Sequence, residues 1–237
     1  MSYEVSQASI HLLPPASIPT YLEKTYWWAY VHPNAVKLFE RQWLVNAILW
    51  GNFAKLRDAA LDELGQHIEG RTLQIACVYG DLSPKLAGRL SPGSSLDVVD
   101  VLPIQLTNLR EKLSNDARVT PLLRDSVDLR FADASYDQTL LFFLLHEQPE
   151  SVRRRTLSEA LRVTRPGGKV VIVDYHLPRR FHPLRYLFRP VLGLLEPFAL
   201  DLWNRDLTTW LPESIRTDQI RKVTSFGGLY QKVVITV

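Results

Sequence analysis

The stretch Leu73-Gln74-Ile75-Ala76-Cys77-Val78-Tyr79-Gly80-Asp81 decides how the rest of the chain is interpreted. Residues 72–78 form a short apolar run of strand length, and residues 83–90 have helical spacing, with Ser83 as the cap and a proline in the first turn. The segment is therefore predicted to be a strand, a tight turn and a helix. In α/β proteins such a turn is commonly rich in glycine, which lets the backbone approach a ligand. Here the turn holds a single glycine, Gly80.

The alternation of strand and helix continues along the chain. Further apolar strands are predicted at residues 95–99, 119–123, 138–143 and 169–173. The first of these strands ends on Asp100. Helices are predicted at residues 103–113 and 151–163. Two extended segments, 215–225 and 230–237, flank Phe226-Gly227-Gly228-Leu229 and indicate an antiparallel hairpin. This order predicts an α/β fold with a seven-stranded, mostly parallel sheet that ends in an antiparallel hairpin.

We expect the chain to divide into two parts. Residues 1–70 are predicted to form an N-terminal arm and a helical, aromatic cap, and residues 71–237 to form the α/β domain. A helical insertion at residues 178–212, rich in Leu, Phe, Trp and Arg, interrupts that domain after the fifth strand.

Composition narrows the class of protein. The chain has 237 residues, of which 46% are hydrophobic and 22% charged, as in ordinary soluble globular proteins. The single cysteine, Cys77, excludes an internal disulfide and a multi-cysteine metal site. No apolar run approaches the roughly 20 residues that cross a bilayer, and residues 1–20 lack the pattern of a secretion signal. We expect a cytoplasmic protein.

Four features resemble the Rossmann-like S-adenosylmethionine-dependent methyltransferases over residues 71–237. They are the turn before Asp81, Asp100 at the end of the second strand, residues 124–126 after the third, and residues 163–169 before the fifth. An acid at the tip of the second strand can accept hydrogen bonds from both ribose hydroxyls of a nucleotide cofactor, and Asp125 can accept one from the adenine amino group. A solvated helix cap is the alternative for each acid taken alone. The resemblance implies that S-adenosylmethionine contacts Ala76, Val78, Tyr79, Gly80, Asp81, Asp100, Asp125 and Ser126.

The turn departs from the pattern of that superfamily, in which an acid precedes a Gly-x-Gly-x-Gly run. Gln74, Ala76, Val78 and Gly80 occupy the corresponding positions. Alanine and valine narrow the space beside the backbone that glycine would leave open. Either the cofactor is held differently, or the domain is degenerate and binds none.

A more specific resemblance runs through most of the chain after Tyr21. It is carried by Tyr26-Trp27-Trp28-Ala29-Tyr30-Val31-His32-Pro33, Val78-Tyr79-Gly80-Asp81-Leu82-Ser83, Leu144-Leu145-His146-Glu147, Asp174-Tyr175-His176-Leu177-Pro178 and His182-Pro183-Leu184-Arg185-Tyr186. These segments look like the rhodoquinone-biosynthesis methyltransferase-like family (RquA), in which the modified turn is the usual form. The resemblance implies that ubiquinone becomes rhodoquinone when an amino group replaces a ring methoxy group. It also implies that S-adenosylmethionine donates the nitrogen and that a divalent metal such as manganese assists.

The residues that follow the fourth and fifth strands could support this chemistry. Displacing methoxide with an amine needs a base for the amine and a donor for the charge that builds on the quinone oxygen. His146 can take or give a proton near neutrality, and Asp174 could orient it or share a metal with His176. With these three, Tyr175 and Tyr79 are the candidate catalytic residues, and the ring of Tyr79 could bar methyl transfer. A structural role is the alternative for each histidine, and no metal ligand is assigned.

The substrate is expected to be a lipid. The aromatic residues near position 30 are too dense to lie on one face of a helix, so a flat quinone ring could stack on some of them, although core packing is the alternative. The candidates are Tyr26, Trp27, Trp28, Tyr30 and His32. The insertion mixes apolar residues with arginines, as expected of a helix on a membrane surface or of a helical cap over the sheet. The expected partners are ubiquinone and the inner face of the bacterial cytoplasmic membrane, and nucleic acid is not expected.

Three functions are consistent with these patterns. The first is amination of ubiquinone with S-adenosylmethionine as the nitrogen donor. The second is conventional O- or C-methylation of a quinone or a lipophilic phenol. The third is a non-catalytic protein that binds a quinone or a partner enzyme.

Overall fold

The computed structural model describes residues 18–25, 40–114 and 116–237. The strands are β1 Arg71–Ile75, β2 Ser95–Asp100, β3 Val119–Leu123, β4 Tyr136–Phe142, β5 Thr164–Tyr175, β6 Ile220–Ser225 and β7 Tyr230–Thr236. They form one sheet in the order β3-β2-β1-β4-β5-β7-β6. Strands β1 to β5 are parallel, and β7 lies antiparallel between β5 and β6. The predicted α/β fold with an antiparallel C-terminal hairpin is confirmed.

Helices cover both faces of the sheet. They are α1 Thr20–Thr25, α2 Gln42–Ile48, α3 Phe53–Leu64, α4 Leu82–Ala87, α5 Pro103–Leu113, α6 Glu150–Val163, α7 Leu184–Leu195 and α8 Ala199–Asn204. The last two helices lie in the predicted insertion and connect β5 to the hairpin. Within the described ranges, no helix is both long and apolar enough to cross a bilayer.

The side chains of β5 point alternately to the two faces of the sheet, which explains why helices cover both faces. Val171 and Val173 belong to one buried apolar cluster, and Val170 and Ile172 belong to another on the opposite face. Both clusters are almost free of solvent contact, and each buried aliphatic side chain contributes roughly 1.5–3 kcal/mol. A central parallel strand is therefore apolar at consecutive positions.

Helix α3 lies within the segment assigned to the N-terminal part of the chain. Its buried residues Phe53, Leu56 and Ala60 pack in the same cluster as Val171 and Val173 of the sheet. This packing holds α3 against one face of the sheet. The division at residue 70 stays a prediction.

Two local predictions were wrong. The helix after β1 begins at Leu82, and Ser83 is not its cap, because the buried hydroxyl of Ser83 donates to Gln74 Oε1 at 2.9 Å. Strand β5 begins at Thr164 and includes the segment that was predicted only to end the preceding helix. The pairing with β4 shifts there, and a side chain at Gly168 would lie 2.6 Å from the carbonyl oxygen of Asp137. The glycine is needed because two backbones approach closely.

Candidate functional site

A cavity of about 620 Å³ opens where the parallel strands end. Its walls come from the segments that follow β1, β2, β3 and β4, together with α2 and α7. The carboxyl ends of the strands are where open α/β sheets bind ligands, and the volume lies within the range of about 300–1,000 Å³ typical of small-molecule sites. The cavity is therefore the candidate site.

The turn after β1 forms one wall and is held by side chains on three sides. Gln74 Nε2 donates to the carbonyl of Ala76 at 2.9 Å, and Lys112 Nζ donates to the carbonyls of Val78 at 2.9 Å and Gly80 at 3.1 Å. The same ammonium group pairs with Glu40 at 2.8 Å. Ala76 has φ +73°, a left-handed conformation that costs an alanine about 1 kcal/mol or more. The turn keeps a glycine-like backbone at a position that has a side chain.

Asp100 lies at the end of β2 and joins two walls of the cavity. Its Oδ2 accepts a hydrogen bond from the amide of Cys77 at 2.7 Å, and its Oδ1 accepts one from the amide of Leu102 at 2.9 Å. Burial raises the pKa of Asp100 to about 6, and the amide donors partly oppose that rise. The carboxylate lines the cavity with lone pairs still available, so it can accept hydrogen bonds from the two hydroxyls of a ribose.

Polar groups continue around the cavity from Asp100. Asp125 Oδ1 accepts from the amide of Val127 at 3.0 Å, and Gln148 Nε2 donates to Ser126 Oγ at 3.1 Å. Asp125, Ser126 and Gln148 all line the cavity, as does Tyr21 of α1, whose pKa is raised by burial and then by nearby carboxylates. This polar rim has the donors and acceptors that an adenine or a ribose would use.

His146 also lines the cavity, in the 3₁₀ turn Leu145–Glu147 that follows β4. Its Nδ1 is 2.9 Å from Asp174 Oδ1. Asp174 is fully buried and accepts from the amides of Leu145 at 2.8 Å, His146 at 3.3 Å and Tyr175 at 2.7 Å. The carboxylate is thereby fixed, and its charge lies beside Nδ1 of the imidazole, whose Nε2 faces other groups.

Two further carboxylates face that second nitrogen. His146 Nε2 lies 3.5 Å from Glu196 Oε2 and 3.7 Å from Glu147 Oε1, and both acids line the cavity. Burial by itself would lower the pKa of His146, but the charges of Asp174 and Glu196 outweigh it and raise the pKa to about 9. The imidazole is therefore protonated at neutral pH and can act as a proton donor.

Glu196 was not predicted from the sequence. It follows α7, inside the insertion, and burial raises its pKa while the charge of His146 opposes the rise. Glu196 Oε2 is buried and has no hydrogen-bond partner within the described part of the chain. No strand end or motif marks this residue, because only the folding of the insertion over the sheet brings it to His146.

Tyr79, in the turn after β1, forms part of the cavity wall. Gln105 Nε2 donates to the Tyr79 hydroxyl at 2.9 Å, and burial raises the pKa of that hydroxyl. Both residues line the cavity. The ring fills space at a position close to the retained glycine of the turn.

The structure brings most of the predicted site residues together. Ala76, Val78, Tyr79, Asp100, Asp125, Ser126, His146 and Tyr175 line the cavity. Asp174 lies behind His146 and positions it. The predicted substrate contacts Tyr26, Trp27, Trp28, Tyr30 and His32 lie outside the described residues.

Besides Asp174, three predicted residues in the described ranges lie outside the cavity lining. Gly80 packs against Phe53, Asp81 Oδ1 pairs with the guanidinium of Arg57 at 2.6 Å, and His176 Nδ1 lies 2.8 Å from the carbonyl oxygen of Gly228. Gly80 and Asp81 stabilise the turn and the start of α4.

A divalent metal finds no ligand set in the part of the chain that the structure describes. No group of three or more His, Cys, Asp or Glu side chains lies there in positions that could hold an ion. Around His146, the carboxylates form contacts with the imidazole.

Known methyltransferases resemble this chain in sequence over part of its length. Residues 72–168 match the family model described as a methyltransferase domain. A curated relative, the ubiquinone/menaquinone biosynthesis C-methyltransferase UbiE of Burkholderia mallei, is 31% identical over 153 residues, which cover 62% of this chain and 60% of that protein. The chain thus spans less than two thirds of the relative's length.

Solved structures share the fold. A S-adenosylmethionine-dependent methyltransferase from Aquifex aeolicus aligns with a TM-score of 0.57 at 18% identity over 87% of this chain and 99% of its own. Human N-acetylserotonin methyltransferase, solved with S-adenosylmethionine, aligns with a TM-score of 0.64 at 15% identity over 92% of this chain and 60% of its own. Residues 72–168 of this chain thus resemble a methyltransferase domain, and the chain shares the fold of these two solved methyltransferases.

Proposed function

We propose that this chain uses S-adenosylmethionine to convert ubiquinone to rhodoquinone, replacing a ring methoxy group with an amino group. The observation that carries the proposal is the turn after β1, whose carbonyl groups accept hydrogen bonds from Gln74 and Lys112 and which brings Tyr79 into the same cavity as His146. A quinone substrate is supported by the relative named as a ubiquinone/menaquinone biosynthesis C-methyltransferase.

The cofactor is proposed to lie along the polar rim. Asp100 would accept hydrogen bonds from the ribose hydroxyls, and Asp125 with Ser126 would contact the adenine. The buried Asp100 carboxylate and its position at a strand end support this assignment. Ala76, Val78 and Tyr79 would then border the amino acid part of the cofactor.

Bound S-adenosylmethionine would supply the nitrogen, because its α-amino group would bond to the ring carbon while the methoxy group leaves as methanol. The bond between this nitrogen and the α-carbon of the cofactor would then have to break, which balances if a proton shift reduces the ring and water releases the aminohydroquinone and a 2-oxo acid. His146, whose pKa is raised to about 9 under the charges of Asp174 and Glu196 that outweigh burial, would donate a proton to the quinone oxygen as charge builds there. Glu196, 3.5 Å from the imidazole and with a pKa raised by burial, would accept a proton from an ammonium group. Asp174 would hold the imidazole, and the hydroxyl of Tyr175 would border the same space.

Tyr79 is proposed to decide which group of the cofactor reacts. Its ring fills volume in the cavity wall where a small residue is usual, and its hydroxyl is fixed by Gln105. A methyl acceptor would be kept from the sulfonium carbon by this ring. Tyr79→Gly should open the space and Tyr79→Phe should only remove the hydrogen bond.

The remaining parts of the proposal rest on the family resemblance. The aromatic residues Tyr26, Trp27, Trp28 and Tyr30, with His32, would contact the quinone ring. The resemblance also implies manganese, but no step above involves a metal, because the described residues offer no ligand set. Because ubiquinone is a bilayer lipid, the enzyme would work as a peripheral protein at the inner face of the cytoplasmic membrane.

Conventional methylation is the second candidate, and it is favoured by the match of residues 72–168 to a methyltransferase domain. A non-catalytic protein that binds quinone is the third.

One assay separates the three functions. The purified chain is incubated with a short-chain ubiquinone and S-adenosylmethionine labelled with ¹⁵N in its amino group, with manganese or with a chelator, and the products are analysed by mass spectrometry. A ¹⁵N-labelled aminoquinone supports amination, and its loss on chelation supports a metal requirement. A methylated product with S-adenosylhomocysteine would favour the second function, and quinone binding without any product would favour the third. If Tyr79→Gly and Tyr79→Phe keep full amination and gain no methylation, the role of Tyr79 is wrong.

A further inference from the structure

The outer face of α7 exposes large apolar side chains. A helix at the surface of a globular protein normally turns such side chains toward the core. Leu187, Val191, Leu194 and Leu195 are spaced so that they share one face of the helix, and all four are exposed, Leu194 to 81%. Phe181, just before the helix, is 85% exposed. A contiguous apolar surface of this kind marks an interaction site.

The cavity opens beside the same surface. Val191 and Leu195 both line the cavity and are exposed, and so are Ile48 of α2 and Trp50 just after it. The ring centroids of Trp50 and Phe188 lie 5.7 Å apart. The mouth of the cavity is thus apolar and continuous with the exposed face of α7.

Positive charge surrounds this surface. The segment 178–195 contains Arg179, Arg180, Arg185 and Arg189 and no Asp or Glu. Arg179, Arg180 and Arg189 are exposed, and no described carboxylate lies within ion-pair distance of them. An apolar stripe bordered by unpaired arginines matches an anionic bilayer, in which the stripe enters the acyl region and the guanidinium groups meet the headgroup phosphates.

We infer that the exposed face of α7, with Phe181 and Trp50, is a docking surface for an anionic lipid bilayer, and that it opens the cavity directly to the membrane. A lipid with a long apolar tail then passes from the bilayer between α2 and α7 without crossing water. The choice of that lipid rests on the proposed function, but the docking surface does not require any particular reaction.

The docking surface is tested by flotation of the purified full chain with vesicles of phosphatidylcholine, with or without phosphatidylglycerol. We expect binding to the anionic vesicles, weakened by high salt. The double variant Leu187→Glu/Leu194→Glu, which changes two residues outside the cavity lining, should bind at least about 10-fold more weakly. Val223→Glu is the matched control, because Val223 is 49% exposed on β6 and also lies outside the cavity lining. Circular dichroism and thermal unfolding confirm that both variants are folded.

The results distinguish this inference from the proposed reaction. Loss of vesicle binding in the double variant alone, with retained turnover of a short-chain quinone in solution, supports the docking surface. The same loss of vesicle binding in the double variant alone supports the docking surface even if no aminoquinone is ever detected. Equal binding by the double variant and the native chain, or no binding by the native chain, overturns it. A native dimer that the double variant makes monomeric also overturns it, because a second copy of the chain would then cover the face.

Discussion

Replacing His146 with glutamine should change how the stability of this protein depends on pH. The charges of Asp174 and Glu196 outweigh burial and raise the pKa of His146 from 6.5 to about 9 in the folded chain. One pKa unit corresponds to about 1.4 kcal/mol, so the protonated imidazole contributes about 3 kcal/mol to the free energy of unfolding. Because the folded pKa is the higher one, this contribution is fully present below pH 6.5 and is lost as the pH rises through 9.

Urea unfolding of the native chain and of His146→Gln, measured at intervals from pH 6 to pH 10, isolates this contribution. Glutamine can still donate to Asp174 but carries no charge. The difference in unfolding free energy between the two proteins should shrink by about 3 kcal/mol over that range. His176→Gln is the control: burial lowers the pKa of His176, so its effect on stability should be constant above neutral pH. A difference for His146→Gln that stays constant with pH, as in the control, would refute the buried charge cluster.

The other expectations concern the cofactor end, the turn and the acid that follows α7. Asp100→Asn should weaken S-adenosylhomocysteine binding about 10- to 100-fold in calorimetry, and binding to the native chain should weaken as the pH falls below about 6, because burial raises the pKa of Asp100 to about 6. Gly80→Ala should lower the free energy of unfolding by about 1–3 kcal/mol, since φ is +82° and the added carbon would lie 2.9 Å from an aromatic carbon, whereas Gly93→Ala, at φ +81° with open space, should cost only about 1 kcal/mol. Glu196→Gln should lower the pKa of His146 in an NMR titration, because the negative charge of Glu196 helps to raise it.

A specific result would contradict each of these predictions. Unchanged affinity in Asp100→Asn would mean that the ribose is bound elsewhere. Equal destabilisation by alanine at Gly80 and Gly93 would mean that contact with Phe53 adds nothing to backbone strain. An unchanged titration in Glu196→Gln would remove this acid from the environment of the imidazole.

The fold could be predicted because each signal for it is local. Apolar runs of strand length alternate with helical spacing, and a helix between strands forces a parallel sheet. The cap of α4 was mispredicted because the sequence cannot indicate that Ser83 has a buried acceptor in Gln74, on the preceding strand β1. Strand β5 was predicted too short, because glycines normally end a helix or a strand. In this protein they let two neighbouring backbones approach each other.

The candidate site could be predicted only where its residues follow strand ends. Asp100 and His146 lie on the cavity because all parallel strands end at one edge of the sheet. The adjacent trio Asp174, Tyr175 and His176 could not all face one cavity, since neighbouring residues of an extended strand point to opposite sides. Accordingly, Tyr175 lines the cavity while Asp174 is buried behind it. Glu196 could not be predicted, because no local pattern shows how an insertion of about 30 residues folds back over the sheet.

The contacts of the turn after β1 bear on whether the domain is degenerate. A turn without a ligand could relax its backbone, because left-handed alanine persists only where surrounding contacts determine it. Here Ala76 keeps φ +73°, its carbonyl is bonded by Gln74, and the next amide is bonded by Asp100, the residue that is also proposed to bind ribose. Lys112 adds two hydrogen bonds at the far side of the turn, each worth about 1.5–3 kcal/mol because the donor is charged. These bonds offset the strain at Ala76, so the turn keeps its shape without the glycines. What differs from a glycine-rich turn is the volume that Val78 and Tyr79 occupy inside the cavity. A change confined to cavity volume alters which ligand group can approach, and this supports altered chemistry over lost binding.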